Sequence, residues 1–298
     1  MNIMVLCGGD SCERAVSLVS GERVFGALSS LGHTVDLVDW RGELPLQCLD
    51  RLKKSDAVFL ALHGGKGEGG ALQAALEENG IFHYTGSRSR AAALAMNKVL
   101  AKQIVAKSGV PVPAGAVWHI GEDRAPVTPP LIVKSLSGGS SEGLRLFQNE
   151  RELAGFLPDK PVLAESYLSG REYTVGILDG EVLPVVEITV HGGLYDYRHK
   201  YERGAALEVC PAPISTEKTV LLQALAKKAF QALGLRDVAR IDFKENDKGE
   251  VFFLEANTLP GMTDTSLLPL AASVAGYPFE MLCEKMAFLA RDHRFALM

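Results

Sequence analysis

Asp242, Glu255 and Asn257 are the residues whose types and spacing most directly suggest chemistry in this chain. Asp242 ends the apolar run around Arg240-Ile241-Asp242-Phe243, and Glu255 and Asn257 end a second run that begins at Phe252. A turn at Asn246-Asp247-Lys248-Gly249 separates the two. Strands joined by that turn would set the three oxygen-bearing side chains side by side, with Glu255 and Asn257 facing the same way because they are two apart. An oxygen-only cluster that leaves room for waters and phosphates suits Mg2+. The alternative is a hairpin whose rim is polar by chance, since carboxylates near turns are common. The loop that follows, Asn257-Thr258-Leu259-Pro260-Gly261-Met262-Thr263, is built of small residues that let backbone N–H groups approach a ligand. Together these features point to a nucleotide–metal site.

Three glycine loops extend this reading. Gly8-Gly9-Asp10-Ser11 follows the first strand and precedes a helix, a junction that can hold an anion, though a tight turn capped by Asp10 or Ser11 reads equally well. Its spacing is not that of a dinucleotide fingerprint. His63-Gly64-Gly65-Lys66-Gly67-Glu68-Gly69-Gly70 ends another strand, and open α/β sheets bind ligands at such ends. The stretch from Lys134 to Gly143 has its lysine before the glycines, unlike a P-loop. It reads as a mobile lid wrapping phosphates beside the point charge of Lys134, the alternative being a surface loop. Tyr195-Asp196-Tyr197-Arg198-His199-Lys200-Tyr201 is too aromatic for a solvated loop and reads as a second lid or an interface.

Elements to position these groups follow from periodicity. Strands are expected at 3–7, 33–38 and 57–62, with helices at 13–31, 71–79 and 89–109, an alternation that argues for a parallel sheet covered on both faces. Beyond 110–113 come strands at 131–134 and 162–165, a short helix at 150–156, a helix at 216–233, the hairpin, and a closing helical region at 267–289. A length of 298 residues allows two or three domains. A net charge of -5 without a dense basic block gives no reason to expect nucleic acid. Five cysteines without CxxC spacing read as free thiols of a reducing cytoplasm. The first residues lack a basic n-region and read as a buried strand, and no apolar run is long enough for a membrane partner.

These motifs occur together, and in order, in one family. Gly8 to Ser17, His63-Gly64, Tyr84-Thr85-Gly86-Ser87, Ala95-Met96-Asn97-Lys98, Gly139-Ser140-Ser141, Tyr195 to Tyr201, Arg240-Ile241-Asp242, Glu255-Ala256-Asn257 and Pro260-Gly261-Met262-Thr263 resemble the D-alanine–D-alanine ligases of the ATP-grasp superfamily. The resemblance implies an α/β chain of ATP-grasp type. A Rossmann-like parallel-sheet domain (1–87) would precede a central ATP-grasp domain (88–170) and a C-terminal catalytic one (171–298). It implies ATP and D-alanine as substrates, two Mg2+ ions with Mn2+ as an alternative, a cytoplasmic homodimer, and a role in making cell-wall peptide.

Residue by residue, the resemblance gives Asp242, Glu255 and Asn257 the metal ions. Lys98 and Lys134 would contact phosphates, and Lys200 the transferred phosphoryl group. Glu165 and the backbone of Ser166, Tyr167 and Leu168 would hold adenine, and Glu172 the ribose. Glu13 would receive the first D-alanine's ammonium and join Ser140 and Tyr201 in a triad closing the lids, with His63 in the same substrate site. Arg240 and the N–H of Gly261 would face the developing oxyanion, and Ser266 and Leu267 the second D-alanine's carboxylate. The family pattern is broken at Gly69, Asn97, Ser135, Gly138, Glu142 and Arg198-His199, but no metal ligand or triad residue is lost. An acceptor other than D-alanine (D-serine, D-lactate or another amino acid) is the alternative, with Tyr201 arguing against D-lactate. A non-enzymatic nucleotide-binding relative is disfavoured by the intact metal ligands.

Overall fold

The computed structural model describes residues 1–43, 46–137, 143–190 and 206–294. The first sheet is parallel, ordered β2-β1-β3 from β1 (Asn2–Gly8), β2 (Thr34–Trp40) and β3 (Ala57–Leu60). Its alternation decides the layering. Ile3, Val5 and Cys7 fall in one core with α1 (Arg14–Ser30), while Met4 and Leu6 fall in another with α2 (Leu46–Lys54) and α4 (Ala71–Glu78). A sheet buried on both faces needs near-continuous apolar strands, which β1 and β3 are, while the edge strand β2 is largely exposed. Helix α3 (Gly65–Glu68) follows β3 within the second glycine loop, too short for periodicity to announce it.

Helix α5 (Ser89–Met96) and α6 (Lys98–Lys107) occupy the segment expected as one helix. Asn97 divides them: its backbone is extended at φ -82°, ψ 100°, and its Oδ1 accepts the N–H of Leu100 at 3.1 Å. Asn97 therefore caps α6, a task that asparagine and aspartate do about equally well, so this departure from the family pattern is structurally mild.

Two antiparallel sheets follow. The central one is ordered β4-β7-β5-β6, from β4 (Gly115–Trp118), β5 (Leu131–Ser135), β6 (Arg145–Phe147) and β7 (Val162–Ser166), with the short helix α7 (Glu150–Leu153) beside it. The C-terminal sheet is ordered β10-β9-β8-β11-β12, from β8 (Glu172–Leu178), β9 (Glu181–Val190), β10 (Ala206–Val209), β11 (Val238–Glu245) and β12 (Val251–Asn257). Helices α5, α6 and α8 (Thr216–Ala232) cover one face of it, around Tyr173, Ile241, Phe243 and Phe253.

The other face shares its core with the first sheet. Leu178, Leu183, Val186 and Ile188 pack in one cluster with Ile3, Val5 and Phe59, through α9 (Leu267–Val274) and α10 (Phe279–Asp292). Burying each such side chain contributes about 1.5–3 kcal/mol. The closing helical region is thus two helices, split at Gly276-Tyr277-Pro278, where Pro278 lacks the N–H that would continue the ladder. No helix among the described residues is long and apolar enough to cross a membrane.

Candidate active site

The hairpin brings the three oxygen-bearing side chains together as their spacing implies. Strands β11 and β12 pair with Arg240 opposite Asn257 and Asp242 opposite Glu255, with a register shift immediately after Asp242. Asn257 Nδ2 donates to Asp242 Oδ2 at 2.9 Å, and Thr174 Oγ1 donates to Asp242 Oδ1 at 2.5 Å. Arg240 grips the same carboxylate with both arms, Nε to Oδ1 at 3.0 Å and Nη2 to Oδ2 at 3.1 Å. Among the described residues, no three His, Cys, Asp or Glu side chains form a metal cage. The donor set is two carboxylates and an amide, which suits a hard ion completed by phosphate oxygens and water.

Helix α6 stands across the gap between the central and C-terminal sheets. Its first residue, Lys98, places Nζ 2.8 Å from Glu255 Oε2 on β12. Burial works to lower the Lys98 pKa, but Glu255 outweighs it and the ammonium is held above its ordinary value. One turn on, Lys102 Nζ lies 2.7 Å from Glu165 Oε1 on β7, and Lys134 Nζ on β5 lies 2.6 Å from Glu165 Oε2. Residues four apart share a helix face, so one stripe of α6 reaches both sheets.

On the N-terminal side, His63 and Glu68 hold the loop that follows β12. His63 Nδ1 bonds to the carbonyl of Leu259 at 3.1 Å, and Nε2 to Ser20 Oγ at 2.9 Å. Ser20 Oγ in turn accepts the N–H of Met262 at 3.3 Å. Burial lowers the His63 pKa, so the ring is neutral and both its nitrogens are committed. That arrangement supports the loop. Glu13, also buried, lies beside this loop: a Cβ built on Gly64, whose φ is +63°, would fall 2.7 Å from Glu13 Oε2.

Glu68 was not among the expected site residues, yet it is the buried tie between the ends of the chain. Its Oε2 accepts the N–H of Gly64 at 2.9 Å, and its Oε1 accepts those of Thr258 at 2.9 Å and Leu259 at 3.2 Å. Burial, and then the charge of Glu13, push the carboxyl up to about 7, against the pull of the three N–H donors. Glu68→Ala is expected to lower stability by roughly 3 kcal/mol, because each buried N–H left without an acceptor costs about 1–3 kcal/mol. The folded form holds a proton on Glu68 that the unfolded chain has already released, from the ordinary carboxylate range up to about 7. The stability associated with that proton is lost as pH rises through this window. Urea unfolding at pH 5 and pH 8 should show that loss in the natural protein and a smaller one in Glu68→Gln.

The remaining expected residues lie at and just after the end of β7, at the start of β8, and in the stretch from the loop after β12 to the start of α9. The N–H groups of Ser166 and Tyr167 are bonded to the carbonyls of Ala114 and Pro130, at 2.8 Å and 2.9 Å, so those two donors are committed to the fold. Leu168 is buried beside them, and Glu172 pairs with Lys244 at 2.9 Å. Ser266 precedes α9, whose first residue is the buried Leu267, and Ser266 Oγ accepts the N–H of Thr263 at 2.9 Å. A Cβ at Gly261 would fall 2.6 Å from Ser266 Oγ and would displace that hydroxyl from its bond to the N–H of Thr263. Ser140, Lys200 and Tyr201 lie outside the described residues, as do Gly138, Glu142 and the 195–201 loop.

Comparison with known proteins agrees with this arrangement. Residues 121–287 match the family model described as D-ala D-ala ligase C-terminus. A D-alanine–D-alanine ligase of Methylacidiphilum infernorum (isolate V4) is 40% identical over 293 residues, covering 96% of this chain and 94% of its own. The D-alanine–D-alanine ligase of Bacillus anthracis crystallised with ATP superposes with a TM-score of 0.83 at 29% identity, covering 100% of this chain and 99% of its own. A D-Ala:D-Ser ligase from Enterococcus faecalis gives 0.82 at 28% identity, covering 97% and 99%. With its parallel sheet, two antiparallel sheets and acidic hairpin matched end to end, this chain belongs to the D-alanine–D-alanine ligase family of the ATP-grasp fold.

Proposed function

We propose that this protein joins two molecules of D-alanine to D-alanyl-D-alanine, cleaving ATP to ADP and phosphate, in the cytoplasmic synthesis of cell-wall precursors. The observation that carries the reading is the convergence of Asp242, Glu255 and Asn257 with Lys98 and Arg240 at the end of one hairpin. The loop tied down by His63 and Glu68 borders that point. Asp242, Glu255 and Asn257 would hold two Mg2+ ions, or Mn2+ in their place, which when bound neutralise phosphate charge.

A carboxylate is a poor electrophile, so one of its oxygens must first become part of a leaving group. An oxygen of the first D-alanine's carboxylate attacks the γ-phosphorus, the bond to the β-phosphate oxygen breaks, and ADP leaves. Lys98 and Lys134 place positive charge where the phosphates lie, and phosphoryl transfer is mainly such positioning and neutralisation. Glu13, buried beside Gly64, receives the ammonium of that D-alanine. The amine of the second D-alanine then attacks the acyl carbon, and the tetrahedral oxyanion forms near Arg240 and the N–H of Gly261. Ser266 and the start of α9 accept the second carboxylate. Collapse expels phosphate and leaves the peptide bond. Glu165 and the 166–168 backbone take the adenine, and Glu172 the ribose. Ser140, Lys200 and Tyr201 enter the proposal from the resemblance, as lid residues that exclude water from the acyl phosphate.

The test is isotopic. D-Alanine labelled with heavy oxygen in its carboxylate should pass one labelled oxygen to the released phosphate, with ADP as the other product. AMP and pyrophosphate as products, or unlabelled phosphate accompanying dipeptide, would exclude the acyl-phosphate route. The likeness to a D-Ala:D-Ser ligase supports D-serine as a second acceptor. Product masses from reactions offered both amino acids decide between them.

A further inference from the structure

Lys102 is a buried cation that the proposed mechanism does not use. Its side chain is 7% exposed, and the carboxylate it faces, Glu165, is 2% exposed. Glu165 is shared: Oε1 lies against Lys102 and Oε2 against Lys134. The two lysines arrive from different elements. Lys134 is on β5, where Ile132 is opposite Glu165, so Lys134 and Glu165 are diagonal neighbours on one sheet face. Lys102 comes from α6, one turn beyond the lysine that pairs with Glu255.

We propose that Lys102 is a positioning residue for nucleotide choice, fixing Glu165 as the ionised acceptor that recognises an exocyclic amine on the base. The inference rests on the reading of Glu165 as the contact to adenine. A carboxylate is acceptor-only when ionised, but a protonated carboxyl carries a donor and would also accommodate a base bearing a carbonyl at that position. Burial alone would raise the Glu165 pKa, and Lys134 and Lys102 together outweigh it. Lys134, however, is also the cation proposed for the phosphates, so a nucleotide competes with Glu165 for it. Lys102 is not among the lysines proposed for the phosphates, and its side chain, 7% exposed, is buried against Glu165. Burial, and then the like charge of Lys134, push Lys102 down to about 7, and the pull of Glu165 opposes that fall without cancelling it. A buried carboxylate deprived of its partner is strongly disfavoured in the ionised form.

The test uses full-length Lys102→Met, Lys102→Arg and Glu165→Gln, with ATP and inosine triphosphate as alternative substrates. The second nucleotide replaces the exocyclic amine with a carbonyl. Lys102→Met should raise KM for ATP about tenfold and lower the ATP preference in kcat/KM by a similar factor, the loss expected for one charge-assisted hydrogen bond. KM for D-alanine should stay within about twofold, because the change is confined to the base pocket. Lys102→Arg, which keeps the charge, should recover part of the preference. An unchanged preference in Lys102→Met beside a lost one in Glu165→Gln overturns the role of Lys102 and leaves the base contact standing. An unchanged preference in both overturns the base contact and this inference with it. Should Lys102→Met fail to fold, Lys102→Met/Glu165→Gln removes both buried charges. If that double variant matches Glu165→Gln alone, Lys102 acts through Glu165. If it loses D-alanine affinity as well, the proposal fails.

Discussion

Glu255→Ala should reduce ADP formation by on the order of 10^3-fold or more, the loss expected when several kcal/mol of phosphate charge neutralisation disappear. Among the described contacts, Glu255 engages fewer neighbours than Asp242. Asp242 also accepts from Arg240, Thr174 and Asn257, so Asp242→Ala would free three neighbours at once. Asp242→Asn keeps the shape and tests the charge there. In Glu255→Ala the partner left behind is Lys98, which is partly buried and loses its ion pair. Far-ultraviolet circular dichroism and a thermal melt should show a folded protein, while coupled ADP release shows the loss. Near-normal turnover with unchanged Mg2+ dependence would refute the metal assignment.

Arg240→Met should lower dipeptide formation by about 10^2–10^3-fold, the range seen when an oxyanion donor is removed. The informative quantity is the ratio of ADP to dipeptide. If Arg240 acts on the tetrahedral oxyanion, phosphoryl transfer is less affected than amine attack, and ADP accumulates in excess as the acyl phosphate is lost to water. A ratio that stays at one in a slow variant would assign Arg240 to the first step, through its grip on Asp242. Arg240→Lys should not restore the rate, because a point charge cannot reproduce the two-armed contact.

The hairpin was legible because its information is local. Two apolar runs, a turn at 246–249 and residues two apart on a strand fix the register, and β11 and β12 pair accordingly. The alternation of strands and helices before residue 90 was legible for the same reason, except for α2 (Leu46–Lys54), which was not expected from the sequence. Asn97 misleads because an asparagine within a helical pattern is tolerated, and nothing beside it announces an extended backbone. Glu68 could not be read locally at all: Thr258 lies 190 residues away and only folding brings it near. Lys102 is intermediate. Its four-residue spacing from Lys98 is visible, but that both lysines are buried follows only from α6 lying against two sheets. Short α3 and the edge strands β4, β6 and β10 escaped periodicity because three or four residues carry too little of it.

The core shared between the first sheet and the C-terminal helices has a consequence for how the chain is made. Ile3, Val5 and Phe59 leave the ribosome early, while their cover from α9 and α10 is among the last parts translated. At 5–20 residues per second, that interval is on the order of ten seconds or more. During it α1 can cover part of that face, while the part that α9 and α10 will cover has no partner yet synthesised, a surface that a holding chaperone would occupy. Slowing translation of α9 and α10 should therefore cost yield before it costs specific activity.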